Sequence, residues 1–440
     1  MVTPWNLKKD VSRVHMIGVG GIGMSALARF FLHEGMVVSG SDRESSQITD
    51  TLRSEGVQVF EKHDKDNIPD DIQLAVYTEA IPEDNEELLS VRSRGVPTLS
   101  YSNALGAMVN DYYLIAVSGA HGKTTTTAML ADIMEQAGMD PTVIVGSLRK
   151  NGSNFRHGKS KYALVEACEY KDSFHRLQPD LLIITNIEHE HVNYFENLEA
   201  VQKSFSKMTA KLFASGVVVA DVADPNVKPV LEGLQATVVD YRPFIDTELI
   251  LRVPGLHNRL NAACATAAAN VLEIESEVTK NALENFSGTS RRFEYKGNCF
   301  LKNKGGYVPV YDDYAHHPSE VMATIAGARE LYPDRQVMVV FQPHTYSRTS
   351  VLRHDLVKAL SKADTVFLAP IYEARKETAG KYDITSETIA TDLKDVGVRV
   401  EFRPTLDALV SLVRETAGTD DLVLVMGAGD INKVADILTI

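Results

Sequence analysis

The stretch LIAVSGAHGKTTTTAMLADIMEQAG, residues 114–138, decides the fold. Its first four residues are apolar and read as a buried strand. Gly119 and Gly122 break the strand, Lys123 and Thr124 follow, and a helical pattern runs on until Gly138. A buried strand, a glycine turn and a helix form an anion cradle. Turn amides and the helix N-terminus face a phosphate, the lysine reaches β/γ oxygens, and the hydroxyl meets Mg²⁺. Val117 stands five residues before Gly122, where the longer Walker form has glycine, so this is the shorter G-x-x-G-K-T loop.

The same grammar extends in both directions. Apolar runs at 14–18, 36–40, 73–77, 112–117, 162–166 and 181–185, then 217–220, 337–341, 365–369 and 422–426, alternate with helical patterns. Continuous apolar strands between amphipathic helices predict buried, mostly parallel sheets and an α/β class. The 440 residues exceed one ordinary domain, and about 150 residues per domain suggests three. New strand–turn units begin near 106–111 and near 292–297, which gives expected domains 1–108, 109–294 and 295–440. A net charge of −14 argues against nucleic acid as partner. Cys168, Cys264 and Cys299 are scattered, without the spacing of a disulfide framework or zinc site, which fits a reducing cytoplasm. No signal core or membrane-length apolar run is present, so a cytoplasmic protein without membrane insertion is expected. Oligomeric state is not legible.

A second glycine turn lies in VHMIGVGGIGMSALARFF, residues 14–31. Gly18, Gly20, Gly21 and Gly23 sit between a strand and a helix, as a pyrophosphate turn requires, and Asp42 ends the next strand where it can hold a ribose hydroxyl. Taken alone this turn suggests an NAD dehydrogenase; the loop at Lys123 argues for ATP instead. Mg²⁺ needs carboxylates beyond the loop. Glu166 ends one strand with Glu169 close behind, and the strand 181–185 leads into Glu188, His189, Glu190 and His191.

The chain resembles the Mur ligases of peptidoglycan synthesis nearly end to end. The resemblance rests on IGVGGIGMSALA (17–28), YTEAIPEDNEEL (77–88), GAHGKTTTT (119–127), VEACEYKDSF (165–174) and TNIEHEHVNYF (185–195). It continues through PGLHNRLNAACA (254–265), FSGTSRRFEYKG (286–297), DDYAHHPSE (312–320), FQPHTYSRT (341–349) and MGAGDI (426–431). It implies three domains: N-terminal Rossmann-like, central P-loop ATPase-like with a mostly parallel sheet, and C-terminal Rossmann-like, closing over the active site. The first would bind a UDP-linked substrate rather than NAD through Gly18, Gly20, Gly21, Gly23 and Asp42. The second would bind ATP through Gly119, Ala120, His121, Gly122, Lys123, Thr124 and Thr125.

The resemblance also implies magnesium, with manganese possible, on Thr124, Glu166 and His191. It puts adenine near Asn258, which Gly255 helps to expose, the nucleotide phosphates near Arg292 and ribose near Asp312. Lys123, His317 and Arg348 are the expected catalytic residues, the last two facing the reacting carboxylate and the incoming amino acid. DDYAHHP and FQPHTYSRT point to the alanine-adding branch. The implied reaction joins the lactyl carboxylate of UDP-N-acetylmuramate to L-alanine through an acyl phosphate, with ATP going to ADP and phosphate. A sibling activity that attaches a murein peptide, and an inactive nucleotide sensor, are the alternatives. The chain departs from the family pattern at Cys168, expected to be buried packing rather than a nucleophile, at Asn193 in the metal segment, and at Thr345, where many members carry a basic residue.

Overall fold

The computed structural model describes residues 6–192, 194–301, 305–373 and 382–439. Three sheets account for every apolar run noted above, and the α/β class is the observed one. The first sheet has order β3-β2-β1-β4-β5 and is parallel throughout: β1 Arg13–Ile17, β2 Val37–Asp42, β3 Gln58–Glu61, β4 Leu74–Tyr77 and β5 Thr98–Ser100.

The second sheet has order β12-β11-β10-β6-β9-β7-β8. Its strands are β6 Tyr113–Ser118, β7 Thr142–Ile144, β8 Phe155–Arg156, β9 Tyr162–Glu166, β10 Leu181–Ile184, β11 Val217–Ala220 and β12 Thr237–Asp240. Only β8 runs antiparallel, at the edge beside β7. Residues Leu114–Val117 are fully buried, which is why β6 reads as an unbroken apolar run.

The third sheet has order β13-β14-β18-β15-β16-β17: β13 Glu294–Phe300, β14 Tyr307–Asp313, β15 Gln336–Phe341, β16 Thr365–Leu368, β17 Arg399–Phe402 and β18 Asp421–Met426. The edge pair β13/β14 is antiparallel and the rest parallel. Along β15 successive side chains enter opposite cores, Val339 and Phe341 on one face and Met338 and Val340 on the other. Both faces of this sheet are therefore covered, as crossover helices require.

The chain packs as two compact units. One comprises residues 1–188, 198–245 and 261–283 and holds the first two sheets; the other comprises 189–197, 246–260 and 284–440 and holds the third. Among the described residues no helix is long and apolar enough to cross a membrane.

Candidate active site

In a parallel sheet, ligand groups gather where strands end at their carboxyl edge. In the first unit, β6 ends in the loop 118–122, and Gly122 (φ +83°) caps the helix Lys123–Gln136 without a side chain. The first turn of this helix thus offers its amides to an anion rather than to a serine or aspartate cap. The amides of Ala120 and His121 are already committed. Ala120 donates to the Asn186 carbonyl at 3.1 Å and His121 to Asn186 Oδ1 at 3.0 Å. Thr185 Oγ1 and Asn186 Nδ2 donate in turn to the His121 carbonyl. The end of β10 therefore fixes the loop's shape, and the helix start carries the anion-facing donors.

Lys123 Nζ donates to the Gly119 carbonyl, to the Ala120 carbonyl at 3.0 Å and to Glu169 at 3.0 Å. The Lys123 side chain is 12% exposed and that of Glu169 only 1%. Burial alone would lower the lysine pKa, but Glu169, then Cys168 and Glu166, raise it on balance, so the ammonium is permanent. Thr124 Oγ1 donates to Glu166 Oε1 at 3.0 Å, and the Gly146 amide donates to Glu166 Oε2 at 2.7 Å. A Cβ on Gly146 would stand 2.5 Å from both Glu166 oxygens, so any larger residue would have to push the carboxylate out of this position. A hydroxyl beside a carboxylate is a donor set that suits a hard divalent cation. Cys168 corrects an expectation, for it is exposed rather than buried. Its thiol is still pushed up to about 12, by desolvation and then by Glu169, so it is no ready nucleophile.

At three of the four N-terminal glycines an added Cβ would strike the protein itself. An added Cβ would lie 2.5 Å from Thr78 at Gly18, 2.8 Å from Asp42 at Gly20 and 2.7 Å from Tyr101 at Gly23; Gly21 meets nothing closer than 3.5 Å. Asp42 Oδ2 accepts the Gly20 amide at 2.8 Å, so here it braces the turn. The helix Ile22–His33 then starts at Gly21, again without a side-chain cap.

The second unit carries the remaining expected residues. His317 caps the helix Pro318–Leu331 with its Nδ1 accepting from the Ser319 amide, while Glu320 returns to the amides of His316 and His317. With Nδ1 an acceptor, a neutral His317 bears its proton on Nε2, which makes it a hydrogen-bond donor there rather than a base. Arg348 pairs with Glu190, both nearly buried. Burial opposes ionisation of Glu190, yet Arg348 and then His316 hold its pKa near about 2. His316 is driven down to about 4 by burial and stays neutral.

Arg292 stacks on Tyr314, 5.2 Å from the ring centre. Asp312 lies 3.4 Å from Arg291, and burial, with Asp313 adding to it, raises its pKa to about 7. Its Oδ1 is buried and makes no hydrogen bond among the described residues. Asn258 overturns an expectation: Gly255 does not expose it. It is buried, and its side-chain Nδ2 donates back to the Pro254 carbonyl at 2.7 Å. His191 falls at φ +54°, and its carbonyl accepts from Tyr194 and Phe195. Thr345 is also left-handed, at φ +61°. Asn193 lies outside the described residues.

Three family models match in chain order: the Mur ligase family catalytic domain at residues 13–113, the Mur ligase middle domain at 117–243 and the Mur ligase glutamate ligase domain at 291–429. The UDP-N-acetylmuramate–L-alanine ligase of Acetivibrio thermocellus is 38% identical over 96% of this chain and 94% of that protein. The chain belongs to the Mur ligase family. The Mur ligase of this name from Agathobacter rectalis is 36% identical, covering 96% of each chain. Among solved structures, the UDP-N-acetylmuramate-alanine ligase of Thermotoga maritima superposes with a TM-score of 0.81 at 27% identity, over 97% of this Mur ligase and 98% of that chain. A murein peptide ligase from Psychrobacter arcticus shares the fold, with a TM-score of 0.73 at 21% identity over 97% and 98% of the two chains.

In this Mur ligase one set of site-shaping residues had escaped the reading of the sequence. Glu87 is fully buried and accepts from Ser41 Oγ, from His63 at 3.1 Å and from Asn67 at 2.9 Å; His15 lies 3.9 Å away. Burial would raise its pKa, but His15, His63, Ser41 and Asn67 hold it far below the carboxylate range. The Ser41 carbonyl accepts the amides of Gly18 and Val19. Glu87 thus steadies the glycine turn from behind. Its only sequence signal was an acid in the first turn of an ordinary helix, which no local pattern distinguishes from a solvated one.

Proposed function

We propose that the protein is an ATP-dependent ligase that forms an amide between the lactyl carboxylate of UDP-N-acetylmuramate and L-alanine, in peptidoglycan precursor synthesis. The observation that carries this reading is the uncapped helix start at Lys123, with Thr124 and Glu166 joined at 3.0 Å. It stands in a chain similar along nearly its whole length to ligases of that name.

A carboxylate and an amine do not condense in water, because hydroxide is a poor leaving group. Attack of the carboxylate on the γ-phosphate of ATP gives an acyl phosphate and ADP. The amine then attacks its carbonyl carbon and phosphate departs. The first step brings anions together, so fixed positive charge governs its rate. Lys123, kept protonated by Glu169, supplies one such charge, and the helix amides behind Gly122 supply partial ones. Thr124 and Glu166 are the assigned oxygen ligands of Mg²⁺ or Mn²⁺, with His191 as a nitrogen ligand; the bound ion would neutralise phosphate charge. In this reading Arg348 meets the amino-acid carboxylate, Asp312 the ribose, Arg292 the phosphates and Asn258 the adenine. The UDP portion rests on the turn from Gly18 to Gly23, and the domains divide at 108/109 and 294/295.

The test is phosphate release from ATP with UDP-N-acetylmuramate and, separately, L-alanine, glycine, L-serine and a murein tripeptide. Alanine-dependent release with ADP as the nucleotide product is expected. AMP as the stoichiometric product would exclude the acyl-phosphate route, and release with tripeptide alone would replace this reading with the recycling activity.

A further inference from the structure

Tyr101 stands where no nucleotide pattern predicted a ligand contact. It opens the helix Tyr101–Val109, after β5, and its ring lies against the first turn of the helix Ile22–His33. A Cβ on Gly23 would fall 2.7 Å from Tyr101 Cζ and 2.8 Å from its hydroxyl oxygen. The fourth glycine of the turn is thus the seat of this phenol. The next amide, that of Ser102, is held by Glu79 Oε1 at 3.1 Å, so the start of the helix is braced from the end of β4. Among the described residues the Tyr101 hydroxyl makes no hydrogen bond, although phenols in such half-buried places ordinarily find a partner. Its pKa is raised by burial first, then by Glu166 and Glu79, so it is a neutral donor.

Tyr101 touches one anchor of the reaction and feels the charge of the other. One is the glycine turn that Gly23 ends, and the other is the carboxylate Glu166 beside Thr124. Under the reading above, a substrate with its pyrophosphate on the turn and its reacting carboxylate at the ATP loop must carry its acid-bearing sugar past Tyr101. That portion offers carboxylate and hydroxyl oxygens, all acceptors, to a phenolic hydroxyl that makes no hydrogen bond among the described residues. A neutral O–H is the group that can hold such an acceptor there. We propose that Tyr101 is a specificity contact, donating its phenolic hydrogen to an oxygen of the sugar-acid portion of the UDP-linked substrate and selecting that portion over UDP alone.

The contact rests on the functional reading above, so the test separates the two. Binding of UDP-N-acetylmuramate, UDP and ATP to the full chain is measured by calorimetry for wild type and Tyr101→Phe. The phenylalanine ring keeps its packing on Gly23 and removes only the hydroxyl. UDP-N-acetylmuramate should bind roughly tenfold more weakly or worse to the variant, the loss expected for a hydrogen bond to a charged or polar oxygen, with UDP and ATP unchanged. Equal affinity of both proteins for UDP-N-acetylmuramate would reduce Tyr101 to packing and overturn the proposal while leaving the ligase reading intact. An equal loss for UDP would move the effect to the glycine turn and overturn it too. A wild type that binds neither UDP ligand would overturn the reading itself, and this contact with it.

Discussion

Lys123→Ala should do two separable things. The lysine is the charge partner of Glu169, whose side chain is 1% exposed, at 3.0 Å. Truncation leaves a carboxylate buried without that ammonium. Breaking a buried pair in this way costs about 3–5 kcal/mol, so the first melting transition should fall by several degrees. Independently, the reaction loses a fixed cation where negative charge accumulates, and turnover should fall roughly 10²-fold or more. The double variant Lys123→Ala/Glu169→Gln removes both charges together. Its melting temperature should recover most of the loss while its turnover stays down, because neutralising Glu169 restores nothing to the phosphoryl group. The assays are differential scanning calorimetry without nucleotide and phosphate release at saturating ATP. A single variant as stable as wild type would contradict the buried pair. A double variant that turns over like wild type would remove Lys123 from the chemistry and leave it a structural cation.

Gly20→Val should raise the KM for the UDP substrate with little change in that for ATP, since its Cβ would enter at 2.8 Å from Asp42 and 2.9 Å from Thr49; parallel rises in both constants would mean a global defect. His191→Ala should raise the metal concentration for half-maximal activity, with partial recovery at high Mg²⁺; an unshifted titration would leave His191 a loop residue. Asp312 has a folded pKa of about 7, above its ordinary 3.8, through burial first and then Asp313. The folded state therefore holds a proton that the unfolded chain has lost between those values, and stability falls as pH rises across that window. Asp312→Asn cannot ionise, so its melting temperature should gain on wild type between pH 4 and pH 7; a pH-independent difference would refute the shift.

What the sequence made legible follows from how each part is stabilised. Strands such as β6, β10 and β18 are covered on both faces and write themselves as unbroken apolar runs. β13 and β14 form an antiparallel edge whose Tyr295, Phe300 and Tyr307 are exposed, and Pro309 interrupts the run, so no strand was read there. The exposed edge strand β12 was missed for the same reason, whereas β7 is buried but only three residues long and β8 only two. In the site, Lys123, Thr124 and Glu166 were legible because the loop's function is local and Glu166 ends a clear strand. The capture of the loop amides by Asn186, the pairing of Lys123 with Glu169 and the bracing of the glycine turn by Glu87 bring together residues 65, 46 and 46 positions apart. Sequence periodicity carries no register between such distant segments. The tautomer of His317 was equally hidden, because it depends on one backbone amide of its own helix.

Gly146 has a consequence for how this gene can vary. Every amino-acid replacement of glycine brings a Cβ, and any Cβ here meets both oxygens of Glu166 at 2.5 Å. Position 146 can therefore change only by a first step that swings that carboxylate away from Thr124 and from the Gly146 amide. In a saturation library selected for growth, it should be as depleted of substitutions as Lys123, although it carries no functional group. Its recovery should require a second change that shortens Glu166 to aspartate, a compensation that opens the space while keeping the charge.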